Sequence, residues 1–150
     1  MSNKIKQGGF TLIELVVVIT ILGILAAFAV PRFASLEGQA RLAATQSIGG
    51  SVRSGAALAH ALWLAQGDPT STTVTMEGNA ITISNGYPDA ATIASTLAEN
   101  PPSGFVVTPG ATTTFAKANS AGVAIANCLV TYTPAAANGA PGVVATTNGC

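Results

Sequence analysis

The sequence predicts an α+β protein in which one long N-terminal helix carries an antiparallel β-sheet on its C-terminal half. Three observations lead to this prediction. The chain opens with an apolar run over residues 10–30, continues with an amphipathic helical pattern to about residue 66, and ends in short alternating segments separated by turn residues. At 150 residues it has room for one modest domain and one additional element.

The composition excludes some classes of function. Charged residues make up 8% of the chain, where soluble domains usually have about 25%. The formal net charge is zero, so the sequence has no broad basic surface of the kind that binds nucleic acid. We therefore expect no nucleic-acid site.

The apolar run is long enough to cross a membrane. Residues 10–30 contain one charged side chain, Glu14, and a helix of this length extends about 32 Å. Lys4 and Lys6 precede the run, and the positive-inside tendency keeps that end in the cytoplasm. Everything after Arg32 is then expected to lie outside the cytoplasm.

The N-terminal nine residues differ from an ordinary secretory signal. In such a signal, a small-residue cleavage site follows the apolar run. Here Gly8-Gly9 ends a short, basic and polar segment, and the apolar run comes afterwards. The order predicts a leader, residues 1–9, that is removed by a cut after Gly9, while the helix over 10–31 is retained.

The segment from Gly9 to Ile19, GFTLIELVVVI, resembles the class III signal of type IV prepilins, specifically the type IVa class. The resemblance implies a pilin fold, cleavage between Gly9 and Phe10 by prepilin peptidase, and N-methylation of Phe10. Gly23 and Pro31 match helix irregularities of the family. Farther along, Asn85-Gly86-Tyr87-Pro88, with the preceding MEG and ITI segments, is similar to mannose-sensitive haemagglutinin pilins.

Glu14 is the candidate assembly residue. Acidic side chains inside membrane helices usually have a partner, and cleavage would create a charged amine on Phe10, one helical turn away. Glu14 can pair with its own Phe10 or with that of a neighbouring chain, and the resemblance implies the intersubunit pairing during assembly. The alternative is that Glu14 lies near the cytoplasmic headgroups and stays hydrated.

Gly23 and Pro31 predict a weak stretch, because neither residue suits a helix interior. This stretch either lengthens when a filament is pulled or forms a static kink, and the sequence favours neither. Beyond Pro31, apolar residues recur at helical spacing and predict one face of an amphipathic helix: Phe33, Leu36, Ala40, Ala43, Ala44, Ile48, Val52, Ala56, Ala59 and Trp63.

Gly67 and Pro69 predict the end of this helix. A helix from Phe10 to Gln66 would be about 85 Å long, so its N-terminal half is expected to protrude from a globular head. The head comprises residues 32–150, with a half-helix over 32–66 and sheet and loops over 67–150. His60 and Trp63 are interpreted as packed side chains of this head.

The C-terminal half consists of short alternating segments separated by turn residues, which is typical of a β-sheet. Asn85 to Pro88 is expected to be a turn, and Asp89 is expected to cap a short helix from Ala90 to Ala98. The predicted strands are Thr72–Met76, Ala80–Ser84, Phe105–Thr108, Thr113–Lys117, Val123–Tyr132 and Val143–Thr146.

Cys128 and Cys150 are the two cysteines. Their separation lacks the short spacing of zinc ligands, so no metal site is expected. The sequence favours a disulfide that closes the C-terminal region over two free thiols. A disulfide requires an oxidising compartment, in agreement with the orientation predicted from Lys4 and Lys6.

The sequence predicts neither an enzyme nor a cofactor site. Phosphate loops and the nucleophile and zinc motifs of hydrolases are missing, and the acidic residues are too scattered to form a catalytic pair. A membrane-anchored enzyme or receptor is the alternative outside the structural class, but a receptor would need neither the cut nor Glu14.

The resemblance implies a structural subunit of a type IVa pilus, held in the inner membrane before assembly and extracellular afterwards. Its expected partners are copies of itself, prepilin peptidase, the inner-membrane assembly platform, and a host or abiotic surface. Adhesion is the expected role of the fibre, and motility and DNA uptake are the alternative roles that the sequence leaves open. A minor pilin or a type II secretion pseudopilin is the alternative, although the cysteine pair disfavours a major pseudopilin.

Overall fold

One long helix opens the part of the chain that the structure describes. The computed structural model describes residues 9–150, apart from the side chain at position 34. Helix α1 covers Leu12–Ala65, close to the predicted bounds. It ends where Gly67 takes a φ of +67°, a left-handed conformation that glycine adopts readily at a helix C-terminus.

The described chain divides into two compact units, the first ending at Glu37 and the second covering Gly38–Cys150. We call the second unit the head. It contains the C-terminal part of α1, which packs on antiparallel sheet, so the α+β fold class predicted from the sequence is confirmed.

Within the head, one face of α1 is buried at helical spacing. Val52, Ala56 and Ala59 are buried on this face, which confirms the predicted stripe over its C-terminal part, and Thr45, which was not predicted, is buried with them. Toward the start of the predicted stripe, four residues continue the same helical period but are exposed in the single chain: Phe33, Leu36, Ala40 and Ala43.

Glycines on this face allow a close approach between α1 and the elements packed on it. A side chain at Gly49 would begin 3.4 Å from the Val130 side chain, and one at Gly55 would collide with Thr96. The apolar pattern therefore missed part of the buried face, because glycine and threonine contribute to it.

A three-stranded sheet follows the helix, built from two consecutive hairpins. Its order is β1-β2-β3, and both pairs are antiparallel. Two-residue turns at Glu77-Gly78 and Asn85-Gly86 have positive φ at both positions, as tight hairpins with the right-handed strand twist require. The strands are β1 Thr73–Met76, β2 Asn79–Ser84 and β3 Tyr87–Pro88.

The prediction of a turn over Asn85 to Pro88 was therefore half right. Asn85 and Gly86 turn the chain, but Tyr87 and Pro88 pair with Ser84 and Ile83. Pro88 fits because a proline without an N–H is tolerated on an edge strand.

The helix predicted over Ala90–Ala98 was wrong in length and type. The structure has a single 3₁₀ turn, Ile93–Thr96. The predicted cap by Asp89 was also wrong, because the N-cap residue of this turn is Thr92, without a side-chain capping bond. Asp89 instead accepts bonds from the Thr92 N–H at 2.8 Å and the Thr92 hydroxyl at 2.6 Å, in the loop just before the 3₁₀ residues. The Thr92 hydroxyl also contacts the backbone of Thr82, so local side-chain bonds tie this segment to β2 instead of extending a helix.

A four-stranded antiparallel meander completes the head, in the order β4-β5-β6-β7. Its strands agree with the sequence prediction to within one residue at each end. Alternate residues of β6 are buried, which places Cys128, Val130 and Tyr132 on one face. The strands are β4 Phe105–Thr108, β5 Thr113–Ala118, β6 Ala124–Thr133 and β7 Gly142–Thr146.

Two buried apolar clusters stabilise the head. In the larger one, Val52 and Ala56 of α1 pack with Phe115, Val130 and Tyr132 of the meander. Burying an aliphatic or aromatic side chain of this kind contributes about 1.5–3 kcal/mol. In the smaller one, the three-stranded sheet packs on α1 around Ala59, with Trp63 at its edge.

The Tyr132 hydroxyl joins the two sheets. It donates a hydrogen bond to the Pro88 carbonyl at 2.6 Å from within the core. Burial raises the pKa of Tyr132 above its ordinary value of 10, and the nearby Asp89 carboxylate raises it further.

The disulfide predicted between Cys128 and Cys150 is present and closes the C-terminal region on β6. Thr45 of α1 lies beneath it, with its hydroxyl 3.4 Å from the Cys128 sulfur. The Gly149 N–H donates to the Asn127 carbonyl at 3.0 Å. A side chain at Gly149 would collide with the Ala126 carbonyl, so the close return of the chain requires glycine there.

Candidate processing and assembly segment

The junction proposed for cleavage lies just ahead of α1. Gly9, Phe10 and Thr11 are non-helical, and the helix begins at Leu12. Phe10 is 86% exposed, and a side chain at Gly9 would meet no atom within 4 Å. Both residues of the junction are thus exposed in the part of the chain that the structure describes. The rest of the proposed leader, with Lys4 and Lys6, lies outside the described residues.

Glu14 is held by a residue that the sequence analysis did not single out. Its carboxylate accepts hydrogen bonds from the Thr11 N–H at 2.9 Å and from the Thr11 hydroxyl at 2.6 Å. In return, the Glu14 N–H donates to the Thr11 hydroxyl at 3.3 Å. This reciprocal arrangement is a capping box, and the Thr-x-x-Glu spacing in the sequence is its signal.

The capping box explains why the helix begins where it does. The first turn of a helix has N–H groups without an intrahelical partner, and an acidic side chain there also interacts favourably with the helix dipole. Thr11 and Glu14 therefore stabilise the start of α1 within one chain. The same bonds fix the Glu14 carboxylate beside the Gly9-Phe10 junction.

An apolar surface surrounds Glu14 and continues along the helix. By length and composition, α1 has a segment able to cross a membrane, with a mean hydropathy of 2.8, and none of that segment is buried. Leu12 is 80% exposed, Ile13 70% and Phe28 75%. The hydroxyl of Thr20 donates to the carbonyls of Val16 and Val17, so this polar group is satisfied within the helix.

The two helix irregularities lie inside continuous helix. Pro31 is an interior residue of α1, and its missing N–H removes one backbone bond from the helix. A side chain at Gly23 would meet no atom within 4 Å, so no contact in the described chain requires glycine there. Lengthening under tension and a static kink both stay predictions for this stretch.

The described residues contain no group of three or more His, Cys, Asp and Glu side chains that could hold a metal ion. Every buried side-chain nitrogen and oxygen in the same part of the chain has a hydrogen-bond partner. The residues predicted for processing, assembly and the disulfide belong to different parts of the chain. Gly9, Phe10 and Glu14 lie around the start of α1, and Cys128 and Cys150 close the head.

Comparisons with known proteins agree with this description of the N-terminal segment. Residues 4–30 match the family model of the prokaryotic N-terminal methylation motif. The chain is also 52% identical over 54 residues to the type IV narrow pilus major component PilA5 of Thermus thermophilus. That alignment covers 36% of this chain and 47% of the relative, so the chain spans about half the length of the curated relative it matches.

No solved structure matches the chain. The similarity to mannose-sensitive haemagglutinin pilins stays a prediction, because neither the family model nor the relative is a protein of that kind. Together, the methylation motif, the relative and the helix-on-sheet fold support the resemblance to type IV pilins that the segment from Gly9 to Ile19 predicts.

Proposed function

We propose that this chain is a structural subunit of a type IVa pilus. It is inserted in the inner membrane as a prepilin with a cytoplasmic N-terminus, cut between Gly9 and Phe10 by prepilin peptidase, methylated on Phe10, and polymerised through the membrane assembly platform into a surface fibre. The observation that carries the proposal is the exposed apolar segment over residues 10–30, whose single charged residue, Glu14, lies one helical turn beyond Phe10.

The domain division follows from this role. Residues 1–9 are the leader, residues 10–31 serve first as the membrane span and then as the filament core, and residues 32–150 form the globular part that contains the head, Gly38–Cys150. An apolar helix surface with this much exposure needs either lipid or other protein around it. Copies of the same helix provide such a surface in the filament, so one segment serves both states.

Cleavage changes the chemistry around Glu14. The new amine on Phe10 remains charged after N-methylation, and it offers the carboxylate a stronger partner than the Thr11 hydroxyl and N–H. We propose that an incoming subunit's Glu14 pairs with the Phe10 amine of a neighbouring subunit during docking. An opposite charge in a low-dielectric environment then selects the correct register along otherwise uniform apolar helices.

The fibre is proposed to act in adhesion to a host or abiotic surface, and motility and DNA uptake are further roles open to it. The relative's name describes a major pilus component, which favours a major subunit here over a minor pilin or a type II secretion pseudopilin. A membrane-anchored receptor is less favoured because it would use neither the junction nor Glu14.

Two measurements test the proposal. Mass spectrometry of the mature chain should find methylated Phe10 as the first residue. Electron microscopy of the producing cells should show fibres that disappear when the chain is deleted and return on complementation. Fibres that persist unchanged in the deletion strain would contradict a major subunit, and an uncut N-terminus would contradict the processing.

A further inference from the structure

The head contains an uncharged pocket that the assembly role does not use. It lies between the end of α1, the loop after it, the β2–β3 turn and the loop after β6, and its volume is about 430 Å³. This volume is within the range of about 300–1,000 Å³ that is typical of small-molecule sites. Its lining combines an indole, an aliphatic side chain, hydroxyls and amides, from Trp63, Ile83, Thr70, Thr72, Asn85 and Asn138.

The indole of Trp63 is fixed on several sides. Its Nε1–H donates to the Ser71 carbonyl at 2.9 Å. The His60 ring lies 6.0 Å from it, stacks on Tyr87 at 4.1 Å and bonds to the Gly86 carbonyl at 2.7 Å. A side chain at Gly86 would begin 3.2 Å from the indole, so glycine keeps this side of the pocket open.

The rims of the pocket are also held in place. The Asn85 side-chain amide donates to the Ala135 carbonyl at 2.8 Å, which ties the loop after β6 to the β2–β3 turn. On the opposite rim, Asp68 accepts bonds from the N–H and hydroxyl of Thr70. A pocket that is already ordered loses less conformational entropy when a ligand binds.

The lining chemistry selects the kind of ligand. None of the side chains that line the pocket carries a charge. Phosphate and carboxylate ligands are usually bound by cationic groups, so this lining disfavours them. A sugar ring has apolar C–H faces that suit an indole and hydroxyls that suit amide and hydroxyl partners. We propose that this pocket binds a neutral saccharide unit.

This inference deepens the adhesive role in "Proposed function" and takes its biological meaning from that role. Sugar binding itself is a property of the single head, because all the lining residues belong to one chain. The two proposals can therefore fail separately.

Tryptophan fluorescence provides a direct test, since Trp63 is the single tryptophan of the chain. The full chain, held in micelles of the sugar-free detergent lauryldimethylamine oxide, is titrated with the methyl glycosides of glucose, galactose, mannose and N-acetylglucosamine. We expect at least one of them to change the emission in a saturable way.

The variant Asn138→Gly identifies the site. Asn138 has a φ of +59°, which glycine adopts freely, so the substitution removes the amide and keeps the backbone. Loss of one neutral hydrogen bond predicts affinity weaker by about fivefold to tenfold. Asn127→Gly is the matched control, because Asn127 has a φ of +57° and lies outside the pocket, and it should bind like the wild type.

Absence of a saturable change with all four glycosides would overturn the proposal, and so would equal affinity of Asn138→Gly and the wild type. Near-ultraviolet circular dichroism checks that both variants keep the native packing. A chain that binds sugar but forms no fibres in cells would contradict the proposed function, while the binding result would still support the saccharide site.

Discussion

At the residue scale, the best-defined feature of the N-terminal segment is the pair of bonds that holds Glu14, which the proposed assembly would exchange for a new partner. In the single chain, Thr11 satisfies the carboxylate through two short hydrogen bonds. A membrane helix with a satisfied carboxylate is easier to insert than one with a bare charge, because unpaired polar groups are costly in lipid. Thr11 is therefore the expected partner of Glu14 in the unassembled subunit in the membrane. The proposed amine of Phe10 is its expected partner in the assembled filament.

Replacement of Glu14 by alanine should spare membrane insertion and abolish filaments. The substitution removes half of the capping box but keeps the long apolar segment, and it removes the charge that is proposed to select the neighbouring amine. Cell fractionation should find Glu14→Ala in the inner membrane at wild-type abundance, and electron microscopy should find no fibres. Glu99→Ala, which removes an exposed head carboxylate, is the control and should assemble. Normal piliation of Glu14→Ala would contradict the assembly role.

Tyr132 predicts a dependence of head stability on pH. Its pKa in the folded chain is raised above the unfolded value, so it contributes stability below pH 10 that is lost as pH rises past that value. Chemical denaturation of the full chain in micelles should therefore give a lower free energy of unfolding at pH 11 than at pH 8.

The variant Tyr132→Phe isolates this contribution. It leaves the buried Pro88 carbonyl without its donor, at a cost of about 1–3 kcal/mol at pH 8. It should also reduce the loss of stability between pH 8 and pH 11. An alkaline loss of the same size in both proteins would show that other groups cause it.

At the element scale, α1 belongs to two environments along one continuous helix. Its head portion buries a face of small residues, while the portion before Gly38 exposes large aliphatic side chains. A glycine therefore has a different effect on helix stability on the packed face of α1 than on its exposed face. On a packed face they allow close contact, and on an open face they only weaken the helix.

Two glycine substitutions in the head portion should change stability in opposite directions. Alanine at Gly55 would collide with Thr96, whose hydroxyl and backbone carbonyl both lie close, so we expect a loss of about 1–3 kcal/mol. Alanine at Gly50 meets no atom within 4 Å and should raise stability by about 0.5–1 kcal/mol through helix propensity. Denaturant titration measures both. Equal effects of the two substitutions would contradict this assignment of the packed face.

The sequence predicted the elements better than it predicted their contacts. Strand bounds followed from alternation and turn residues, which act locally. Pairing of Tyr87 and Pro88 with β2 was missed because a proline suggests a turn, and its edge position is set by the rest of the sheet. The 3₁₀ turn was taken for a longer helix because the bonds of Thr92 to Thr82 depend on tertiary structure.

The candidate sites show the same contrast. Gly9, Phe10 and Glu14 form a local motif that can be read directly from the chain. The burial of Thr45 beneath the disulfide could not be predicted, because a threonine interrupts an apolar pattern. The two sulfur atoms that its hydroxyl contacts belong to Cys128 and Cys150, which are distant in the sequence. The pocket at Trp63 likewise depends on loops more than 50 residues apart.

At the scale of the whole molecule, the proposed function requires an apolar segment for assembly and a head that keeps its shape outside the cell. The head has 113 residues with two modest clusters, and small cores of this kind often depend on covalent links. The disulfide joins the last residue to β6, where the Cys128 sulfur contacts Thr45 of α1. It therefore fixes the C-terminus on the same packed face that supports the meander.

Removal of the disulfide should destabilise the head and release its C-terminus. The Cys128→Ala/Cys150→Ala variant loses a link that closes a loop of 22 residues, which predicts a loss of about 3 kcal/mol. Denaturant titration of the full chain in micelles should show this loss, and reduction of the wild-type chain should lower its stability by a similar amount. Amide hydrogen exchange should increase most at Gly149 and Cys150, whose N–H groups donate to Asn127 and Thr147 in the closed structure. Unchanged stability in both experiments would mean that packing alone holds the C-terminal region in place.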